Sequence, residues 1–295
     1  MESFSCYRYT IMFYILQTDI QALMIVVGIF GLMVGSFLNV VIHRLPIMLQ
    51  REWAQQCAEI SGQPIESTEV FNLSVPRSRC PNCGHLITAL ENIPVLSYLF
   101  LLGKCRGCHQ KISLRYPFVE ILTAILSVFV AWHFGFTWQL AGALIFTWAL
   151  LAASVIDLDH FLLPDNITLP LLWLGLYCNL FHLYTDISSA VLGAMVGYLS
   201  LWSVYWFFKL LTGKEGMGFG DFKMTAMLGA WLGWQWLLQI ILIASLLGSI
   251  VGITLILLRI QDKEIPIPFG PYLAFAGWIS LLWGSSLKHI LHAWM

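Results

Sequence analysis

Four of the aspartates at the borders of apolar stretches stand in motifs that could do chemistry. Asp157, Asp159 and Asp165 crowd the segment SVIDLDHFLLPD, and Asp221 closes the glycine-rich run EGMGFGD. Ionisable side chains at such places are costly and usually functional. Two apolar stretches, near 166–183 and 188–210, separate the cluster from Asp221. Each is close to the length of about 20 residues that crosses a bilayer as a helix. Two crossings return a chain to the side it left, so Asp157 and Asp221 belong to one membrane edge although 64 positions separate them. Two carboxyl groups brought together can share one proton. One then acts as base toward a water and the other as acid toward a scissile carbonyl. That is the chemistry of an aspartic protease.

The partner of Asp221 is not fixed by spacing alone. Asp157 and Asp159 are two apart and point in different directions on a helix. Asp165 follows Pro164 and reads as the N-cap of the next helix. Asp159 reads as the solvated start of a loop. Asp157 lies nearest the bilayer and is the first choice, with its neighbours as alternatives. Glu120 stands about one helical turn inside another apolar stretch, as a partner for Arg115 by default or as a third carboxylate near the site. The glycines of EGMGFGD fit neither a dinucleotide fingerprint nor a phosphate-binding loop. Gly216, Gly218 and Gly220 read as a flexible turn at the membrane edge, or as a place where backbone closely approaches an extended substrate.

Four cysteines carry a second chemistry. CPNC (Cys80, Cys83) and CRGC (Cys105, Cys108) are two C-x2-C knuckles separated by 21 residues. Two such knuckles close a tetrahedral four-thiolate zinc site with no open position, which makes the metal structural. Two disulfides, or one redox pair, are the competing reading. His85 and His109 flank the knuckles as surface histidines or substitute ligands. Cys6, Cys57 and Cys178 have no partner pattern and read as ordinary thiols.

The elements that must position these groups are helices in lipid. The 295 residues are 59% hydrophobic and 11% charged, against about 25% charged in soluble domains. Apolar stretches fall near 21–42, 116–134, 138–156, 166–183, 188–210, 222–234, 236–258 and 269–287. This predicts an all-α polytopic membrane protein of about eight transmembrane helices, with one sizeable polar insert. The divisions are an N-terminal extension (1–20), a first span (21–42), a four-cysteine zinc-binding domain (43–115) and a multi-span domain (116–295). Residues 9–16 are apolar but too short to span, and no small-residue cleavage site follows them. A net charge of −1 gives no argument for nucleic acid. Eight of the fifteen Lys and Arg residues lie in 43–116; placing that segment in the cytoplasm puts thirteen of the fifteen inside, as the positive-inside rule requires. A reducing compartment also disfavours disulfides. Ser36, Asn39, His43 and Arg44 edge the first span on the same side, either along a substrate path or in helix packing and headgroup contact. A transporter would place carboxylates near the midplane and show an internal repeat; these cluster at one edge, and no repeat is found.

At these residues the chain resembles the type IV prepilin peptidases, bifunctional leader peptidase/N-methyltransferases among the GxGD-type membrane aspartic proteases. The resemblance rests on SVIDLDHFLLPD and EGMGFGDFKM. It extends to GSFLNVVIHRLP (35–46), both knuckles, RYPFVE (115–120) and PIPFGPYLAFAG (266–277). It implies Asp157 and Asp221 as the catalytic pair, and zinc on Cys80, Cys83, Cys105 and Cys108 in a cytoplasmic domain. It implies cleavage of the basic leader of prepilins and type II secretion pseudopilins at the cytoplasmic face of the bacterial inner membrane. The new N-terminal residue is then methylated from S-adenosylmethionine, for whose site no residue is assigned.

Overall fold

A computed structural model of the chain describes residues 14–62, 70–258 and 267–294, the last with side chains to Gly284. Cys6, Arg8, Arg259, Lys263 and the side chain of Lys288, used in the readings above, lie outside the described residues, as do part of the N-terminal extension and residues 63–69 of the polar insert. Among the described residues the longer elements are all helices: α1 (Ile20–Ser61), α2 (Leu96–Phe100), α3 (Arg115–Phe134), α4 (Trp138–His160), α5 (Asp165–Leu180), α6 (Ile187–Thr212), α7 (Phe219–Leu232), α8 (Leu237–Leu257) and α9 (Gly270–Trp294). Each expected apolar stretch falls on one of these. Five of them, α1, α3, α4, α6 and α8, are long and apolar enough to cross a membrane. α5 and α7 have 16 and 14 residues.

The chain divides into two compact units, Met1–Leu140 and Ala141–Met295. In the first, α1 packs along α3. A Cβ at Gly35 would lie 2.7 Å from Glu120 Cα, and one at Gly31 2.9 Å from Ala124 Cα. Small residues four apart thus let two helices touch backbone to backbone, the usual packing inside lipid. The stretch read as a first span, 21–42, is the apolar part of a longer helix, α1. It continues for five more turns through Pro46 to Ser61. The apolar run ends at the membrane edge, but IMLQREWAQQCAEIS is rich in strong helix formers. Gly62, at φ 64°, ends the helix and returns its amide to Ala58 and Glu59 carbonyls.

The second unit is built around α7. This helix is apolar on all sides and buried from Met224 to Leu232, as such a helix must be. α5, α6, α8 and α9 pack against it. Gly193 of α6 and Gly229 of α7 meet so closely that neither tolerates a Cβ. The carbonyls that end α7 are met by a buried side chain: Asn179 Nδ2 donates to Ala230 and Trp231 oxygens at 2.8 and 3.0 Å. Trp231 Nε1 donates to the Leu171 carbonyl at 2.8 Å. A helix so anchored is a rigid support for its first turn, where Asp221 lies.

Candidate functional site

The second unit brings Asp157 and Asp221 together. Asp157 lies in the last turn of α4 and is 5% exposed; Asp221, in the first turn of α7, is 8% exposed. They are near enough for the charge on Asp157 to bear on Asp221. The cluster resolves by burial. Asp159 is on the exposed side of α4, which continues to His160 rather than breaking into a loop. Asp165 is not the N-cap of α5: Pro164 holds that position and Asp165 begins the helix. Its carboxylate instead takes Lys223 Nζ at 2.6 and 2.8 Å.

A third segment completes this site. Gly270 N–H, at the start of α9, donates to Asp157 Oδ2 at 3.0 Å. A Cβ at Gly270 would stand 2.6 Å from that oxygen and 2.9 Å from Leu163 Cδ2. A Cβ at Gly220 would stand 2.8 Å from Leu163 Cβ. Leu163 is therefore wedged between two glycines, one beside each aspartate. Sequence reasoning assigned no role to Gly270 or Leu163, although Gly270 lies in PIPFGPYLAFAG, one of the stretches that carry the resemblance. None of Gly216, Gly218 and Gly220 has a positive φ; at Gly220 the need is for close approach.

In the first unit the four knuckle sulfurs lie within 4.8 Å of one another. Cys80 and Cys108 Sγ are 3.9 Å apart, as are Cys83 and Cys105. A zinc–sulfur bond of about 2.3 Å gives tetrahedral sulfurs about 3.8 Å apart, so the geometry fits such an ion. All four are free thiols, and the disulfide reading is not met. The knuckles are copies of one turn. Cys80 N–H donates to His85 O and Gly84 N–H to Cys80 O, while Cys105 N–H donates to Gln110 O and His109 N–H to Cys105 O, all at 2.9 Å. Gly84 and His109 take the same left-handed place, at φ 72° and 57°. Neither histidine joins the cluster: His85 Nε2 sits 3.2 Å from Glu91 Oε2. The Gln110 amide, with Asn82 and neighbouring thiols, pulls Cys108 down to about 6. The His85 amide pulls Cys83 the same way, but burial and the three other sulfurs carry it up to about 11.

A cavity of about 690 Å³ opens between the knuckles and the facing ends of α1 and α3. Ser36, Asn39, His43, Arg44 and Glu120 all line it. Asn39 Nδ2 donates to Tyr116 O at 3.1 Å. Arg44 is buried and donates to Asn72 and Pro76 carbonyls at 2.9 and 2.6 Å. Glu120 Oε2 accepts the Val95 amide at 2.8 Å.

Known proteins place this arrangement. Residues 29–134 match the bacterial peptidase A24 N-terminal domain. Residues 144–253 match the type IV leader peptidase family. A Stutzerimonas stutzeri protein named prepilin leader peptidase/N-methyltransferase is 57% identical over 260 residues, covering 88% of this chain and 90% of its own. Proteins of the same name from Aeromonas salmonicida and Legionella pneumophila are 61% and 47% identical, covering 88% and 89% of this chain and 91% and 92% of theirs. No solved structure matches the chain. Identity of this degree across nearly the whole length leaves one conclusion: the chain belongs to the type IV leader peptidase family and is an enzyme of it.

Proposed function

We propose that this enzyme cuts the leader from prepilins and pseudopilins with Asp157 and Asp221, then methylates the new N-terminus from S-adenosylmethionine. The observation that carries the proposal is the burial of these two carboxylates at helix ends, within electrostatic reach of each other. The names of the relatives support both activities. The pair holds one proton between them. The ionised member takes a proton from water, whose oxygen adds to the scissile carbonyl carbon, while the protonated member gives its proton to the carbonyl oxygen. Collapse breaks the C–N bond, and the amine leaves with a proton returned from the pair. Gly270 N–H fixes one Asp157 oxygen, which leaves the other to meet the water. Asp221, held by an anchored helix, keeps its geometry through the cycle.

Zinc on Cys80, Cys83, Cys105 and Cys108 would tie two distant turns into one domain. Four thiolates leave no open position, so the ion takes no part in the chemistry. In the methylation, the freed amine's lone pair forms the N–C bond, the C–S electron pair passes to the donor sulfur, and one proton leaves the nitrogen.

The charge distribution supports a bacterial inner-membrane protein whose zinc domain and aspartates face the cytoplasm. All eight long helices cross the bilayer in this reading, α5 and α7 as short spans, with residues 43–115 forming the zinc domain. Incubation of the purified chain with a prepilin and labelled S-adenosylmethionine tests both reactions together. A leader that stays attached sinks the peptidase; a cut product without label sinks the methyltransferase.

A further inference from the structure

We infer that the apolar end of the cysteine-bearing insert, residues 93–102, is seated in the membrane surface beside α3, with lipid as its partner. No charged residue stands between Glu91 and Lys104, and IPVLSYLFLL is apolar apart from Ser97 and the hydroxyl of Tyr98. Only one side of this run turns inward. Ser97, Tyr98 and Leu101 line the cavity of the first unit, while Leu96, Leu99, Phe100 and Leu102 are between 53% and 84% exposed. A contiguous apolar face of this kind marks a surface that meets a partner.

Glu120 sets the height of this face against the bilayer. Its buried carboxylate accepts the Val95 amide at 2.8 Å. α3 is long and apolar enough to cross a membrane, and it starts at Arg115. Glu120 lies about 7.5 Å further along the helix axis, and its side chain leans back toward the start. The amide it holds is therefore level with the first turns of α3. Arg115 and Tyr116 mark that level as the headgroup zone, where basic and aromatic side chains gather at the ends of spans. Tyr98 adds a second tie, donating to the Ile112 carbonyl at 3.3 Å. Val95 and Leu102, which flank α2, stand at φ 58° and 51°. Residues other than glycine rarely take such values, and they do so where the surroundings hold them. The outward face of α2 is thus fixed.

The rim of the face selects the partner. A backbone bridge pairs Lys104, two residues beyond Leu102, with Lys111, and both lysines are exposed. An apolar and partly aromatic surface edged by lysines suits the boundary between headgroups and acyl chains. Anionic phospholipid headgroups match the lysines, and acyl chains match Phe100 and the leucines. A second copy docked on this face would make a self-complementary contact and bring the same lysines toward one another. The insert therefore rests on the bilayer, and α1 and α3 do not hold it clear of the surface.

The test uses the full chain in vesicles of phosphatidylethanolamine and phosphatidylglycerol. The vesicles carry a phospholipid with a diazirine near the carbonyl end of one acyl chain. After photolysis, peptides covering 93–102 of the unaltered chain should carry lipid label, as should peptides of α3. Label on α3 with none on 93–102 overturns the assignment, because protein or water then covers the face. Leu99→Asp combined with Phe100→Asp should cut the label on 93–102 by at least about tenfold, since each apolar side chain of this size is worth more than that in transfer from water. Label on α3 should stay as in the parent and reports a chain still inserted. A double variant labelled on 93–102 as the parent is would also overturn the assignment. Exchanging phosphatidylglycerol for phosphatidylcholine should lower the label on 93–102 by at least about threefold, a lower bound for two lysines at a charged surface. Lys104→Glu with Lys111→Glu should abolish that dependence. Equal label in the two kinds of vesicle would remove the headgroup contact from the proposal.

Discussion

Lys223 and Asp165 hold each other through both carboxylate oxygens, at 2.6 and 2.8 Å, across 58 positions of sequence. Lys223 is two residues beyond Asp221, and Asp165 opens the helix that follows the Asp157 segment. The pair therefore joins the two aspartate segments directly, and in the proposed mechanism Lys223 acts as a positioning residue. It is partly exposed, so breaking it should cost only about 0.2–1 kcal/mol of stability. Lys223→Ala should lower kcat for leader cleavage by about tenfold with little change in KM. The reversed pair, Asp165→Lys with Lys223→Asp, should recover part of that loss. Full activity in Lys223→Ala would remove the positioning role.

Asp157→Asn and Asp221→Asn should each lower cleavage by at least about 10²-fold, the scale of general acid–base catalysis. Both variants should still insert in the membrane and still methylate a pre-cut pilin peptide. Substantial cleavage by either one would rule out the pair.

Gly270→Ala tests the third segment. The added methyl would sit 2.6 Å from Asp157 Oδ2 and 2.9 Å from Leu163 Cδ2. Overpacking of this kind costs about 1–3 kcal/mol. Leader cleavage should fall by about tenfold or more, together with the melting temperature. Activity equal to the parent's would show that the start of α9 does not set the position of Asp157.

Metal analysis of the reduced protein should find one zinc per chain, and Cys105→Ser should abolish it. Thiols must ionise to bind the ion. Cys108 is ionised above pH about 6, whereas Cys83 keeps its proton to about 11. Between those values zinc uptake by the stripped chain must expel the Cys83 proton, so affinity rises with pH. A zinc titration in weak buffer at neutral pH should release at least one proton per ion. No release would mean that Cys83 is already ionised at neutral pH.

The helices were legible because lipid imposes a simple pattern: long apolar runs, interrupted at the edges. At α1 the same pattern gave an apolar stretch and not the helix end, since hydropathy registers where apolar residues stop and not where the helix does. Counted crossings put Asp157 and Asp221 at one edge; both are found buried in the second unit, and burial separates Asp157 from the exposed Asp159. Asp165 was misread because Pro-Asp before an apolar run suits a cap, and a partner 58 positions away leaves no local trace. Gly270 was hidden for a similar reason: its contribution is an amide hydrogen and the lack of a side chain. The knuckle symmetry was half visible. Gly84 is the residue type that usually takes a left-handed turn, but His109 occupies the matching place without that mark.

The brevity of α7 has a consequence for how a substrate is met. Fourteen residues at about 1.5 Å each make a rod of about 21 Å, against a hydrocarbon slab of about 30 Å. A spanning helix of that length cannot reach both surfaces. Packed on all sides, it cannot be drawn outward without emptying the core around Trp231. In the proposed eight-span reading one end of α7 lies below a surface, and with Asp221 at that end water and peptide would descend to it through a local dip in the lipid. On that reading a prepilin lying flat on the headgroups would be out of reach, and the enzyme would screen its clients by how deeply their stems are already sunk.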